Sequence, residues 1–129
     1  MQRFTQSHTV TEDDLDDLQH VNNVRYVQWI QDISKNHWLS VAPPALLDRI
    51  IWVVVNHNIT YKSAAKLGDR IRMETYIKSA RGAISERVVE MYLEEDNELL
   101  VESLTKWCML DPASLKPARI GIDVQNLFL

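Results

Sequence analysis

Hydrophobic and polar positions follow two different periods along the chain. Between residues 22 and 42, apolar side chains recur every three or four positions, which predicts one long amphipathic helix. Asn22 or Asn23 is suited to cap its N-terminus, and the Pro43-Pro44 pair is expected to end it. The stripe on this helix consists of Tyr26, Val27, Ile30, Ile33, His37 and Trp38.

Strand patterns dominate the rest of the chain. Residues 3–10 alternate loosely, and residues 50–61 form a long β-branched and aromatic run in which we expect a bulge. Alternation with a period of two predicts further strands over 71–78, 89–94 and 99–109. A strand, a long helix and four consecutive strands predict an α+β domain in which an antiparallel sheet buries one face of the helix.

Composition narrows the class of protein. The 129 residues fit one domain, 1–129, with residues 112–129 expected to pack on it as a tail that contains a short helix near 123–128. The net charge of −4 gives nucleic-acid binding no general electrostatic support. Because there is one cysteine, no run of about 20 apolar residues and no signal-peptide pattern, we expect a cytoplasmic protein that does not enter the membrane.

The most specific feature is the segment from Asp14 to Tyr26, at the predicted strand-to-helix junction. It reads Asp-Leu-Asp-Asp-Leu-Gln-His-Val-Asn-Asn-Val-Arg-Tyr. This segment resembles the hotdog-fold thioesterases of the 4-hydroxybenzoyl-CoA thioesterase and acyl-ACP thioesterase type. Their pattern is Asp-x-Asp, two residues, Gly or Gln, and His-Val-Asn-Asn-x-x-Tyr. The turn from Tyr61 to Asp69 is also similar, and the resemblance extends over about residues 3–112.

The resemblance implies a hotdog fold, in which a curved antiparallel sheet wraps a long central helix, and hydrolysis of acyl-CoA or acyl-ACP. Asp16 then holds the catalytic position, as general base or nucleophile. Two positions depart from the plant acyl-ACP enzymes, because Leu18 stands where they have Asn and Ala64 stands near where they have Glu. These departures favour a mechanism centred on Asp16.

Thioester hydrolysis also needs donors for the negative charge that develops on the carbonyl oxygen. The free amides of a helix N-terminus supply such donors, which makes the backbone of Asn22, Asn23 and Val24 the candidate oxyanion site. His20 is a candidate to bind the carbonyl or to hold Asp16 and water. One of the two asparagines is expected to cap the helix, and Tyr26 is expected to lie in the core or the pocket wall.

Three further groups of residues are candidates for interface, phosphate-binding or structural roles. His57 and Asn58 lie in a strand that the resemblance places near a dimer interface, so they either reach a partner's site or form polar interface contacts. Basic side chains near two turns are candidates for the phosphates of coenzyme A or phosphopantetheine, against a solvated role: Lys62, Lys66, Arg70 and Arg81. Cys108 is expected to be buried and structural, and the histidines lack metal-ligand spacing, so neither a metal nor a separate cofactor is expected.

Several functions other than thioester hydrolysis can be compared with the sequence. A hotdog dehydratase is disfavoured because the helix entry typical of those enzymes is missing and Asp16 would be misplaced. A hotdog protein that binds acyl thioesters without cleaving them is the main alternative. The resemblance implies a homodimer or homotetramer, and leaves open the acyl chain, the carrier and whether Asp16 attacks directly or through water.

Overall fold

The long amphipathic helix of the sequence pattern is the centre of the molecule, seen in a computed structural model that describes residues 2–129. Helix α1 spans Asn23–Val41, and it buries one stripe of its surface against a five-stranded sheet. The strands are β1 (Arg3–Thr9), β2 (Ile51–Tyr61), β3 (Arg70–Arg81), β4 (Ile84–Leu93) and β5 (Glu98–Leu110). The short helices are α2 (Pro44–Arg49) and α3 (Ile122–Phe128).

Sheet order differs from chain order. The strands lie in the order β1-β3-β4-β5-β2, and every neighbouring pair is antiparallel. The chain therefore crosses the sheet between β2 and β3, which leaves β1 and β2 as the two edges. The predicted α+β architecture is confirmed, and so is the bulge in β2, where the register shifts between Val54 and Asn56.

Three boundaries differ from the sequence expectation. Pro43-Pro44 ends α1, but Pro44 is also the first residue of α2, where its fixed φ and missing N–H suit a helix start. Strand β3 extends to Arg81, and β4 begins at Ile84 rather than near residue 89. Both strands extend because the Arg81–Ile84 hairpin is tight, with Gly82 at φ +58°, so pairing continues to the turn.

The concave face of the sheet carries two apolar clusters. The first packs the N-terminal half of α1 against the middle of the sheet, with Tyr26, Ile30, Met73 and Met91 almost fully buried. The second packs Trp38 against Met109 and Phe128, so α3 closes that end. Among residues 2–129, no helix has the length and apolar character needed to cross a membrane.

Candidate active site

The loop between β1 and α1 closes on itself around Asp16. The Asp16 N–H donates to the His20 carbonyl at 2.7 Å, and the Gln19 N–H donates to the Asp16 carbonyl at 3.1 Å. Gln19 has φ +63°, the left-handed region that glycine adopts most easily. The turn therefore has one strained position, which is the Gly-or-Gln position of the motif that this segment resembles.

The Asp16 carboxylate is oriented by the backbone of its own loop. Its Oδ1 accepts hydrogen bonds from the Leu18 N–H at 2.9 Å and from the His20 N–H at 3.1 Å. Within residues 2–129, Oδ2 accepts none. The half-buried side chain thus has one oxygen held in place and one that remains available to water or to a carbonyl carbon.

This loop is attached to the turn that follows β2. The Val21 N–H donates to the Ala65 carbonyl at 3.0 Å, and His20 forms a bridge pair with Lys66. The buried Tyr26 hydroxyl accepts from the Ala65 N–H at 3.1 Å. Burial raises the pKa of Tyr26, so it stays a neutral phenol that anchors the first turn of α1, in agreement with the expected core role.

The first residues of α1 differ in how their amides are used. The Asn22 side chain is the N-cap and accepts from the Val24 N–H at 3.0 Å. The Asn22 N–H donates to the Asp14 carbonyl at 2.8 Å. Among the described residues, the Asn23 N–H has no partner, as expected for the first position of a helix. Of the three amides in the candidate oxyanion site, that of Asn23 is therefore the free one.

Asp14 holds this region together, a role that the sequence pattern did not reveal. The residue is only 5% exposed, and its Oδ2 accepts from His8 Nε2 at 2.8 Å and from the Thr11 N–H at 2.9 Å. Arg25 Nε lies 3.4 Å from Oδ1. Burial alone would raise the pKa of Asp14, but the hydrogen bonds from His8 and Thr11 outweigh burial and lower it. The one sequence feature that could have indicated this role is the Asp-x-Asp spacing, since the first Asp has a fixed place in the motif.

His57 and Asn58 point to opposite faces of β2, as neighbours in a strand must. His57 is half-buried, with Nδ1 at 2.8 Å from Thr105 Oγ1 and Nε2 buried without a partner in the part of the chain described. Burial lowers the pKa of His57. Asn58 is exposed on the edge strand.

The four basic residues considered for phosphate contacts lie at two separate places. Lys66 adjoins His20, and Lys62 directly follows β2, where its Nζ is 3.7 Å from Glu102. Arg70 begins β3 beside this turn, whereas Arg81 ends β3, roughly 35 Å away along the strand. The expected burial of Cys108 is confirmed, since it is 8% exposed.

Comparison with known proteins adds an independent result. The model of the family described as the acyl-ACP thioesterase N-terminal domain matches residues 1–128. The chain belongs to this family. The thioesterase is also 25% identical over 105 residues to the long-chain acyl-CoA thioesterase FadM of Escherichia coli, and the match covers 75% of each chain.

Solved structures agree on the fold. A 1,4-dihydroxy-2-naphthoyl-CoA thioesterase from Synechocystis superposes with a TM-score of 0.82 at 18% identity, over 98% of this chain and 95% of that one. The 12:0-ACP thioesterase from Umbellularia californica superposes with a TM-score of 0.84 at 13% identity, over 98% of this chain and 51% of that one. The predicted hotdog fold is confirmed, and the family makes this thioesterase a thioester hydrolase.

Proposed function

We propose that this thioesterase hydrolyses acyl-CoA or acyl-ACP to a free acid and a thiol, with Asp16 as the general base or nucleophile. The observation that carries the proposal is the state of its carboxylate. Two backbone N–H groups hold Oδ1, whereas Oδ2 accepts no hydrogen bond from residues 2–129, and the loop that carries it leads directly into the start of α1. A positioned carboxylate with a free oxygen is what either role requires.

The free Asn23 amide supports a matching oxyanion site. As the thioester carbonyl becomes tetrahedral, its oxygen gains negative charge, and an unpaired N–H at the positive end of α1 stabilises that charge. In the water route, Asp16 Oδ2 takes a proton from water while the water oxygen bonds to the carbonyl carbon. The C–S bond then breaks, and the thiolate takes up a proton. In the direct route, an Asp16 carboxylate oxygen bonds to that carbon, and the C–S bond breaks to release the thiolate, which takes up a proton. Water then hydrolyses the resulting anhydride to the free acid and the Asp16 carboxylate.

His20 acts as a positioning residue in this proposal. Its backbone N–H and carbonyl both bond to Asp16, so the residue fixes the turn that orients the carboxylate. Its half-buried ring has no hydrogen bond among the described residues, which leaves it available to a substrate carbonyl or water. Lys66, paired with His20, is the nearest of the four basic residues for a phosphate of the carrier.

A second copy of the chain completes the proposed enzyme, as a homodimer or homotetramer. The edge strand β2 presents unpaired backbone groups and exposed Ile51, Val53 and Val55, which favours pairing with another β2. His57 and Asn58 then lie at that interface. The reaction uses no cofactor other than the coenzyme A or phosphopantetheine of the substrate, and the single cysteine fits a cytoplasmic location.

The test is a thiol-release assay over a chain-length series of acyl-CoA and acyl-ACP substrates. We expect thiol release by the wild type and a loss of at least about 100-fold in Asp16→Asn. Asp17→Asn is the matched control, because Asp17 is the exposed neighbour of Asp16. If no substrate releases thiol and acyl-CoA is recovered intact from the protein, a binding function replaces this proposal. Full activity of Asp16→Asn contradicts the site.

A further inference from the structure

A second feature of α1 lies beyond the site just described. Between the middle and C-terminal turns of this helix and the sheet is a cavity of about 460 Å³, within the ~300–1,000 Å³ range of small-molecule pockets. Its walls are largely apolar and include Trp38, Trp52, Ile77 and Phe128. Exposed Gln28 and Gln31 line the helix side, where a ligand can enter.

The floor of this cavity contains a buried cation. Arg87 lines the cavity and is only 4% exposed. Burial lowers the pKa of Arg87 to about 10, so the guanidinium remains charged at neutral pH. Within residues 2–129, no carboxylate forms an ion pair with it. A buried charge without a counter-ion is costly, and an arriving anion would relieve that cost.

Hydrogen bonds fix one side of the guanidinium and leave the other side free. Nη1 donates to His37 Nδ1 and to Thr75 Oγ1, both at 2.9 Å. His37 is neutral, because burial and the Arg87 charge lower its pKa to about 4. In the described part of the chain, Nε and Nη2 donate to no group. These two N–H edges form the planar fork that binds a carboxylate.

The polar groups beside Arg87 on the sheet side of the cavity are also donors. Trp107 lines the cavity, and its buried indole N–H has no partner among the described residues. Ser85 lies directly opposite Trp107 across β4 and β5 and lines the same cavity. Asp32, on the helix side, accepts a hydrogen bond from Gln28. The floor thus offers donors and a positive charge to a ligand that accepts hydrogen bonds.

We propose that Arg87 makes this cavity a subsite for an acyl group that carries a carboxylate at the end remote from the thioester. The proposal rests on the proposed function, because it names the substrate class of that site. Helix α1 connects the two regions. Asn23 is its first residue, and His37, which bonds to Arg87, lies 14 residues later, roughly 21 Å along the axis, a distance that a long acyl chain spans.

The first arm of the test measures binding without any thioester. Octanoate and octan-1-ol are titrated while the fluorescence of Trp38, Trp52 and Trp107 is followed, since all three line the cavity. We expect the wild type to bind octanoate at least about tenfold more tightly than octanol, and Arg87→Met to lose this preference. Arg87→Lys retains part of it. Arg119→Met, the same change at an exposed arginine, retains all of it.

The second arm compares kcat/KM for hexadecanedioyl-CoA and palmitoyl-CoA, which have the same chain length and differ by the remote carboxylate. We expect the wild type to favour hexadecanedioyl-CoA and Arg87→Met to lose the preference. Equal binding of octanoate and octanol by the wild type overturns the subsite, and this result holds even if Arg87→Met fails to fold. Tight octanoate binding without preference for hexadecanedioyl-CoA overturns the assignment to the acyl group. If neither these thioesters nor any member of the acyl-CoA and acyl-ACP series is cleaved, the proposed function fails while the first arm still decides the subsite.

Discussion

The two halves of α1 carry different chemistry and are built in different ways. At the N-terminal end, Asp16 and the Asn23 amide are positioned by hydrogen bonds within a few residues of sequence. Along the C-terminal half, Arg87 is positioned by His37 and Thr75, which come from two other elements. The reacting groups are therefore positioned by the local backbone, whereas the proposed selectivity depends on packing between distant segments.

The largest expected effect is a loss of activity when the Asn23 N–H, at the N-terminal end of α1, is removed. Asn23→Pro deletes the free amide, and proline suits the first position of a helix. Asn22, at φ −65° and ψ 136°, already has the conformation that a residue before proline prefers. We expect kcat to fall roughly 100- to 1,000-fold with little change in thermal stability. Asn23→Ala, which keeps the amide, should retain most activity, and a fully active proline variant would remove Asn23 from the oxyanion site.

The next largest expected effect is a loss of folding stability at low pH, caused by His37 in the C-terminal half of α1. His37 has a pKa of about 4 in the folded chain, below its ordinary value of 6.5. As the pH falls from 6.5 to 4, the unfolded chain takes up a proton that folded His37 does not, so stability decreases by roughly 3 kcal/mol. Urea unfolding across this range should show the decrease, and His37→Gln should flatten it. If the free energy of unfolding of His37→Gln falls as steeply with pH as that of the wild type, His37 is not a neutral residue beside Arg87.

A smaller effect tests the support of the catalytic loop. The pKa of Asp14 is lowered, so its contribution to stability is present above its ordinary value of 3.8 and is lost as the pH falls below it. Asp14→Asn should lower the free energy of unfolding at pH 7 by about 1–3 kcal/mol, and the difference from wild type should shrink at pH 3. Asp13→Asn, at the exposed neighbour, is the control. Equal stabilities at pH 7 would show that Asp14 is not structural.

The two regions also differ in how far the sequence revealed them. The helix, the bulged β2 and an asparagine cap at Asn22 or Asn23 followed from periodicity and local chemistry, because each depends on neighbouring residues, and the structure assigns the cap to Asn22. The motif pointed to Asp16, but it did not distinguish the Asn23 amide from those of Asn22 and Val24. That distinction depends on a contact between Asn22 and the Asp14 carbonyl.

Arg87 is the clearest example of a residue whose role could not be predicted from the sequence. In the sequence it is one of many charged residues in an alternating strand, between Glu86 and Val88. Its burial follows from the strand order β3-β4-β5 and from the packing of His37 and Phe128 around it. The start of β4 at Ile84 was not predicted, so the face on which Arg87 lies could not be assigned either.

The most direct test of the division along α1 uses Asp16→Asn and one acyl-CoA. On the same protein sample, thiol release is measured with the acyl-CoA, and tryptophan quenching gives the Kd for a thioether analogue that cannot be cleaved. The Kd of the variant is then compared with that of the wild type. We expect thiol release at least about 100-fold slower than wild type, with a Kd within about threefold, because Asp16 lies in the loop before α1 and not among the cavity residues. Thiol release at the wild-type rate would contradict the assignment of the chemistry to Asp16.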